Sequence, residues 1–244
     1  LLRLDKNRGY SGGFNTGLAY AVNKRNADYV LVTNDDVRVD RNVISEFVKV
    51  AETNREIGFV TGKVFFYNFN GQENILQTVG KKRSSSAILP DHIGSKEKDI
   101  GQYNKISERY LCDDVFMLVR KEVIEETGGY DTNFFLQYEE ADWQLRAKSL
   151  GYKVFYTPHA KLWHKVGQST GGPDSPLRNY YSNKNRLLLV KKHGKDAKIL
   201  KFILFEFFFR LPLSMFMHLV RNRLDLLHAH LSGSISGIMW IVKK

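Results

Sequence analysis

The chain has 244 residues, 43% of them hydrophobic and 13% aromatic, which supplies enough apolar material for one large domain, or one domain with an appendage, and excludes a disordered chain. Lysine and arginine number 37 against 26 acids, and the net charge of +11 suits an anionic partner: a nucleotide, a lipid phosphate, a membrane surface or a nucleic acid. The single cysteine, Cys112, excludes a disulfide framework or a cysteine-rich zinc site and fits a reducing compartment.

The chain opens with Leu1-Leu2-Arg3-Leu4, without an initiator methionine or a leader peptide, and reads as starting inside a domain. The stretch from Asn7 to Gly17 (NRGYSGGFNTG) reads as a loop. Gly9, Gly12, Gly13 and Gly17 allow sharp turns and close approach to a ligand, and Asn7 and Asn15 can supply amide hydrogen bonds. A helix expected from Thr16 to Lys24 would point its amino end at an anion. The spacing is neither a dinucleotide fingerprint nor a P-loop, and an ordinary strand-to-helix turn has the same composition.

Tyr29 to Thr33 (YVLVT) reads as a buried strand ending in Asn34-Asp35-Asp36. Acids there sit where open α/β sheets bind ligands. Beside a diphosphate they require a divalent cation, and hard oxygen ligands suit Mg²⁺ or Mn²⁺. The same tripeptide also suits a plain turn into a helix capped by Asp40, in which Val43, Phe47 and Ala51 share a face. Gly58 to Phe66 reads as the next strand, so the order strand–helix–strand favours an α/β sheet.

Residues 67 to 108 are polar, without a sustained period, and read as loops. Tyr110 to Val119 is strand-like, and Arg120 to Thr127 is a short helix closed by Gly128-Gly129. Glu139 to Leu150 reads as a helix with Trp143, Ala147 and Leu150 on one face, and Tyr152 to Tyr156 as a strand stopped by Pro158. Glu139, Glu140 and Asp142 crowd the first turn of their helix. The helix dipole favours acids there by about 0.3–1 kcal/mol each, but a carboxylate after the aromatic run Phe134-Phe135 can also accept the proton of an attacking hydroxyl. His164 is either an ordinary histidine or a second metal ligand. Ser169 to Gly172 looks like a lid.

Residues 178 to 244 are helical, aromatic and basic. Ile199 to Val220 comes nearest to a membrane span, but it contains Lys201, Glu206, Arg210, Pro212 and His218, and charges at a bilayer centre cost about 2.5–3.5 kcal/mol each. A helix pair lying on the membrane is expected instead, with Phe202, Phe205 and Phe209 entering the boundary and Lys191, Lys192, Arg221 and Arg223 meeting the head groups. Packing on the α/β core is the alternative. The aromatics cluster between Phe202 and Phe209 rather than interleaving with basic residues, which argues against nucleic acid.

The motifs in order are N-x-G…G-G-x-N-x-G, a strand ending N-D-D, G-G-Y-D-x-x-F-F, Y-E-E-x-D-W-x-L-R and P-x-A-x-x-x-H-x-x-G-x-S. As a series, continued by Asn185-Arg186, they resemble glycosyltransferase family 2 over residues 7 to 190, especially its rhamnosyltransferase-like members. The resemblance implies an α/β, A-type glycosyltransferase fold, Rossmann-like with a mixed central sheet, and a helical carboxyl-terminal tail. The catalytic domain would occupy 1–190, with its first strand and acidic loop preceding Leu1, and the membrane-associating tail 191–244. Position by position, Asp36 is the final acid of the metal motif, with Asn34 in its first place, and His164 completes the metal and diphosphate site. Glu140 matches the catalytic base, and Glu139 and Asp142 match acids lining the acceptor pocket. Asn7 matches a residue near the nucleotide, and Gly9, Gly13, Asn15, Asn34 and Asp35 fall on the donor side. Asp114 departs from the pattern, standing where relatives carry glycine.

The implied activity is inverting, metal-dependent transfer of a sugar, with rhamnose the commonest expectation from the resemblance, from a nucleotide-diphosphate donor to a hydroxyl of a polysaccharide or lipid-linked glycan. The enzyme would be cytoplasmic, peripheral on the inner face of the membrane. The alternatives are an inactive relative and a basic protein that binds membrane surfaces.

Overall fold

The computed structural model describes residues 1–84, 89–165, 175–194 and 196–243. The proposed lid at Ser169 to Gly172 lies outside them.

Helix α1 (Gly9–Arg25) leads into strand β1 (Tyr29–Thr33), then β2 (Val37–Val39), α2 (Val43–Ala51) and β3 (Ile57–Phe66). Short strands β4 (Leu76–Thr78), β5 (Lys81–Lys82), β6 (Asp91–His92) and β7 (Ser107–Arg109) follow, then β8 (Phe116–Arg120), α3 (Lys121–Thr127), α4 (Glu139–Ser149) and β9 (Lys153–His164). The main sheet is mixed, in the order β1-β8-β3-β9-β2, with β4 on β3 and β7 on β9. Only β3 and β9 pair in parallel; the other neighbours are antiparallel.

Alternation along β8 builds a core on each face of the sheet. Phe116 and Leu118 point toward α2, where they meet Phe47, Val43 and Val50. Met117 and Val119 point the other way, toward Leu18 of α1, Val123 of α3 and Trp143 of α4. Phe47 and Phe116 lie 4.7 Å apart between ring centroids, and Phe59 meets Trp143 edge-on at 5.5 Å.

Five local expectations change. The glycine stretch is helical from Gly9 onward, so the helix begins seven residues before Thr16. Backbone contact makes the difference: Tyr10 N–H donates to Phe135 O at 2.8 Å, and the Ser11 hydroxyl donates to Phe134 O. Gly9 has φ +72, and a Cβ there would lie 2.4 Å from the Phe135 ring, so the helix can start against that ring only with glycine. Pro158 does not stop its strand. Thr61 pairs with Tyr156 and Lys63 with Lys161, so Thr157 to Ala160 form a bulge and β9 rejoins the ladder beyond it. Residues 67 to 108 carry four short strands rather than loops alone, and Tyr110 to Val115 precede the strand instead of belonging to it. Leu150 is exposed at the end of α4, unlike the buried Trp143 and Ala147.

The carboxyl-terminal part is helical. It comprises α5 (Pro176–His193), α6 (Asp196–Phe205), one π-helical turn (Glu206–Arg210), α7 (Leu211–Val220) and α8 (Leu224–Lys243). The boundary expected after residue 190 falls within α5. That helix faces two ways: Leu188 and Leu189 pack with Phe134 and Ala141, while Leu187 and Val190 pack with Phe202. A Cβ on Gly233 of α8 would lie 2.3 Å from Tyr180 O, so α8 and α5 touch backbone to backbone. Among the described residues, no helix is long and apolar enough to cross a membrane.

Candidate active site

Sheet register brings Asp36 and His164 together. Asp36 immediately precedes β2, whose Val37 pairs with His164 at the end of β9, and Lys165 N–H donates to Asp36 O at 2.9 Å. His164 Nε2 consequently stands 3.1 Å from Asp36 Oδ1. Its Nδ1 lies 3.0 Å from Gln77 Oε1 on β4, an acceptor, which assigns the ring hydrogen to Nδ1. Nε2 then accepts a long contact from Asn34 Nδ2 at 3.5 Å. Burial pushes the imidazole pKa below its ordinary value and outweighs the pull of Asp36. A neutral ring thus turns its lone pair toward a carboxylate oxygen that is buried and receives no hydrogen bond. A cation between them satisfies both atoms, and an imidazole–carboxylate pair suits a first-row divalent ion such as Mn²⁺.

A second group forms at the start of α4. Ligand oxygens of Asp114, Glu139 and Glu140 lie within 4.8 Å of one another, close enough to hold a metal ion. Burial comes first in raising the Asp114 pKa well above the carboxylate range, and Glu140 and Asp113 add to it. Glu139 is raised in the same way, by burial and then by Asp114 and Glu140. Against these acids stands Lys81 of β5, buried, with Nζ 2.7 Å from Glu140 Oε1 and 2.7 Å from Asp113 Oδ1. Burial opposes its charge, but the two carboxylates prevail and raise its pKa.

One aromatic residue lies within electrostatic range of both groups. Tyr10 in the first turn of α1 donates its hydroxyl to Asn34 Oδ1 at 2.5 Å. Burial raises its phenol pKa first, followed by Asp114, Glu139, Glu140 and Asp36. Tyr130 O–H donates to Asp114 Oδ2 at 3.3 Å.

The turn carrying the α4 acids is held from the tail. Gln137 and Tyr138 both have positive φ, +71 and +69, which costs non-glycine residues about 1–3 kcal/mol each. Buried Asn185 of α5 donates Nδ2 to Leu136 O at 2.8 Å and to Gln137 O at 3.0 Å.

Other expected residues lie elsewhere. Asp142 is fully buried and takes Arg146 Nε at 2.9 Å, Lys192 Nζ at 2.6 Å and His193 Nε2 at 2.9 Å, so it is not brought to the acid group. Asn15 uses both amide atoms on the Tyr130 backbone, at 2.8 and 2.9 Å. Asn7 is exposed and accepts from Gly9 N–H at 2.9 Å. Asp35 is exposed, and Gly13 lies within α1 with open space around it. Tyr10, Gln77, Lys81 and Asp113 belong to the site without having been singled out. An apolar–polar reading could not find Lys81, because its only sequence signal is a Lys-Lys pair in a polar segment.

Residues 1–128 match the family model of glycosyl transferase family 2. The chain belongs to glycosyl transferase family 2. It is a glycosyltransferase, and relatives of known activity agree with that. The dTDP-rhamnosyl transferase RfbF of Shigella flexneri is 24% identical over 250 residues, covering 99% of this chain and 79% of the relative. The poly-beta-1,6-N-acetyl-D-glucosamine synthase of Staphylococcus aureus (strain COL) is 27% identical over 169 residues, covering 69% of this chain but 37% of the relative. Two solved structures share the fold. GalNAc-T7, determined with UDP, GalNAc and Mn²⁺, superposes with a TM-score of 0.53 at 12% identity, over 82% of this chain and 41% of its own. The mannosyltransferase PcManGT from Pyrobaculum calidifontis, determined with GDP-Man and Mn²⁺, has a TM-score of 0.50 at 12% identity, over 98% of this chain and 69% of its own. The fold is therefore the A-type glycosyltransferase fold.

Proposed function

We propose that this glycosyltransferase moves a sugar from a nucleotide-diphosphate donor to a glycan or lipid-linked hydroxyl by a single metal-dependent displacement with inversion. The observation that carries the reading is the contact of His164 with Asp36 at the strand ends, in a chain that also gathers three acids about the start of α4. Asp36 and His164 would hold Mg²⁺ or Mn²⁺, which neutralises charge developing on a departing diphosphate when bound. Asn34, oriented by Tyr10, and the start of α1 near Asn7 and Gly9 would border the donor.

Glu140 is the candidate base. Lys81 occupies its Oε1, which fixes the carboxylate and leaves Oε2 as the atom to receive the acceptor proton. Glu139 and Asp114, both held above the carboxylate range by burial, would carry protons and hydrogen-bond the acceptor instead of adding charge. Rhamnose is the first donor sugar to test, on the strength of the Shigella relative.

The tail would bring this site to the inner face of a membrane. Phe205, Phe208, Phe209, Leu213 and Phe216 are exposed together along α6, the π turn and α7. The charges inside this segment do not interrupt that face, because Glu206 is buried and Arg210 turns inward to it. Phe202 differs from expectation: it is buried against Leu187 and Val190. Lys192 is tied to Asp131 and Asp142, so Lys191, Lys201 and Arg221 are left as basic flanks.

The test is turnover of a panel of nucleotide sugars, dTDP-rhamnose among them, with Mg²⁺, Mn²⁺ or chelator. Metal-dependent consumption of one donor, lost in Asp36→Asn, is expected. Absence of binding or turnover with every donor would overturn the reading.

A further inference from the structure

A polar cavity of about 300 Å³ lies among the tail helices, and Arg178 in its wall is within electrostatic range of His164. It is lined by Arg178 and Asn179 of α5, Arg210 of the π turn, Ser214 and His218 of α7, and Gln137 of the strained turn before α4, among others. Its volume is at the lower end of the range for small-ligand pockets, roughly 300–1,000 Å³.

Its charge is unbalanced. Arg210 Nε contacts both oxygens of buried Glu206, at 2.7 and 2.8 Å, and Arg186 approaches the same carboxylate at 3.4 Å. Arg178 makes no ion pair among the described residues, while Arg210, the other arginine in the wall, shares the Glu206 carboxylate with Arg186. A second imidazole in the cavity wall, His230, has its pKa lowered to about 4, by burial first and then by Arg210. His230 is therefore neutral near pH 7, and its Nε2 faces the Arg210 fork at 3.2 Å. Arg210 spends Nε and Nη2 on Glu206, Asn183 and His230, so the fork of Arg178, with serine and asparagine donors in the same wall, is the group that suits a phosphate.

The position of the cavity selects the phosphate. Arg210, Ser214 and His218 recur every four residues and turn one helical face inward. Phe209, Leu213, Phe216 and Val220 stand exposed on the same helical segment. One helical segment thus carries a basic, hydrogen-bonding face and an apolar face. The π-helical turn supplies Arg210; such turns concentrate at functional sites. At the other end the cavity touches Gln137, whose carbonyl Asn185 holds, two residues before Glu139.

We propose that this cavity is an anion subsite for a phosphate ester of the acceptor, presented from a membrane surface, which places the acceptor hydroxyl toward the α4 acids. The acceptor assignment rests on the sugar-transfer reading above; the anion site stands on its own geometry.

Inorganic pyrophosphate, titrated into the full chain without divalent metal or nucleotide, is the first probe. Binding is expected, weakened about tenfold or more by Arg178→Gln and by Ser214→Leu, which fills the cavity without removing a charge. It should persist in Asp36→Asn. Circular dichroism and melting of each variant separate loss of the site from loss of the fold. Pyrophosphate binding lost in Asp36→Asn but kept in both cavity variants would overturn the proposal while leaving sugar transfer intact. Failure of donor turnover would not touch this titration. The second probe is a set of neutral vesicles doped to equal charge with a polyprenyl phosphate or with phosphatidylglycerol. A preference for polyprenyl phosphate that Arg178→Gln removes is expected, and equal binding of both lipids would overturn the acceptor assignment.

Discussion

The Lys81 ammonium stands 2.7 Å from Glu140 on α4 and 2.7 Å from Asp113 before β8, joining three segments distant in sequence around one buried charge. Removing it strands two carboxylates in a site where Asp114 and Glu139 already crowd them. Breaking a buried pair from one side typically costs about 3–5 kcal/mol. Lys81→Met is accordingly expected to lower stability by that order in urea melts and to abolish transfer. Adding Asp113→Asn should restore part of the stability without restoring activity. Additive losses in the double variant would show that the three groups do not act together.

Glu139 and Glu140 are adjacent, and their environments separate their roles. Glu140 is fixed by Lys81, whereas Glu139 Oε2 is buried without a hydrogen-bond partner. Glu140→Gln should retain the fold and donor binding but slow transfer by about 10²–10⁴-fold, the usual range for a general base. Glu139→Gln, which replaces a group expected to be protonated, should cost far less. Rapid-quench measurement of single-turnover transfer distinguishes them, and the reverse order would move the base to Glu139.

Asp142 sets part of the acid stability. Burial pushes its pKa up, but His193, Lys192 and Arg146 outweigh burial and bring it to about 2. With an unfolded value near 3.9, the folded state favours the ionised carboxylate. The resulting stabilisation, about 2–3 kcal/mol, is fully present above roughly pH 5 and is lost as pH falls toward 2. Asp142→Asn should lower stability at pH 7 and flatten the acid limb between about pH 5 and 2. Urea midpoints across that range provide the measurement; an unchanged limb would assign acid unfolding to other groups, such as Asp113, whose pKa is also lowered.

How far the sequence revealed these features follows from the range of the forces involved. The β1, β3 and α4 segments were legible because apolar spacing reports burial locally. Asp36 was read from its place after a strand and His164 from the family resemblance; their contact comes from the antiparallel register of β2 with β9, which no local pattern announces. The start of α1 was not, since Gly9 to Gly13 is a poor helix former and is held by Phe134 and Phe135, more than a hundred residues away. Pro158 misled for a similar reason: the missing N–H ends a regular ladder, but here a four-residue bulge absorbs it. Lys81 belongs to the same class, because only the tertiary fold shows that its charge is buried and matched.

The tail offers the last test. Phe208 and Phe209 are 69% and 66% exposed, and the apolar face continues through Leu213, Phe216 and Val220. Had the helices simply packed on the catalytic core, these rings would be buried, as Phe202 is. A continuous exposed face of this kind marks an interaction surface, and basic residues at its margins, each worth about 1 kcal/mol near anionic lipid, favour a membrane. The protein should float with phosphatidylglycerol vesicles at low salt and bind phosphatidylcholine vesicles less. Phe208→Ser with Phe209→Ser should reduce flotation severalfold at unchanged melting temperature, because neither side chain lies in the core. Raising salt should weaken the electrostatic share and leave the apolar share. Protein that stays in the soluble fraction with anionic vesicles at low salt would remove the membrane role and direct the search for an occupant of this face toward another protein.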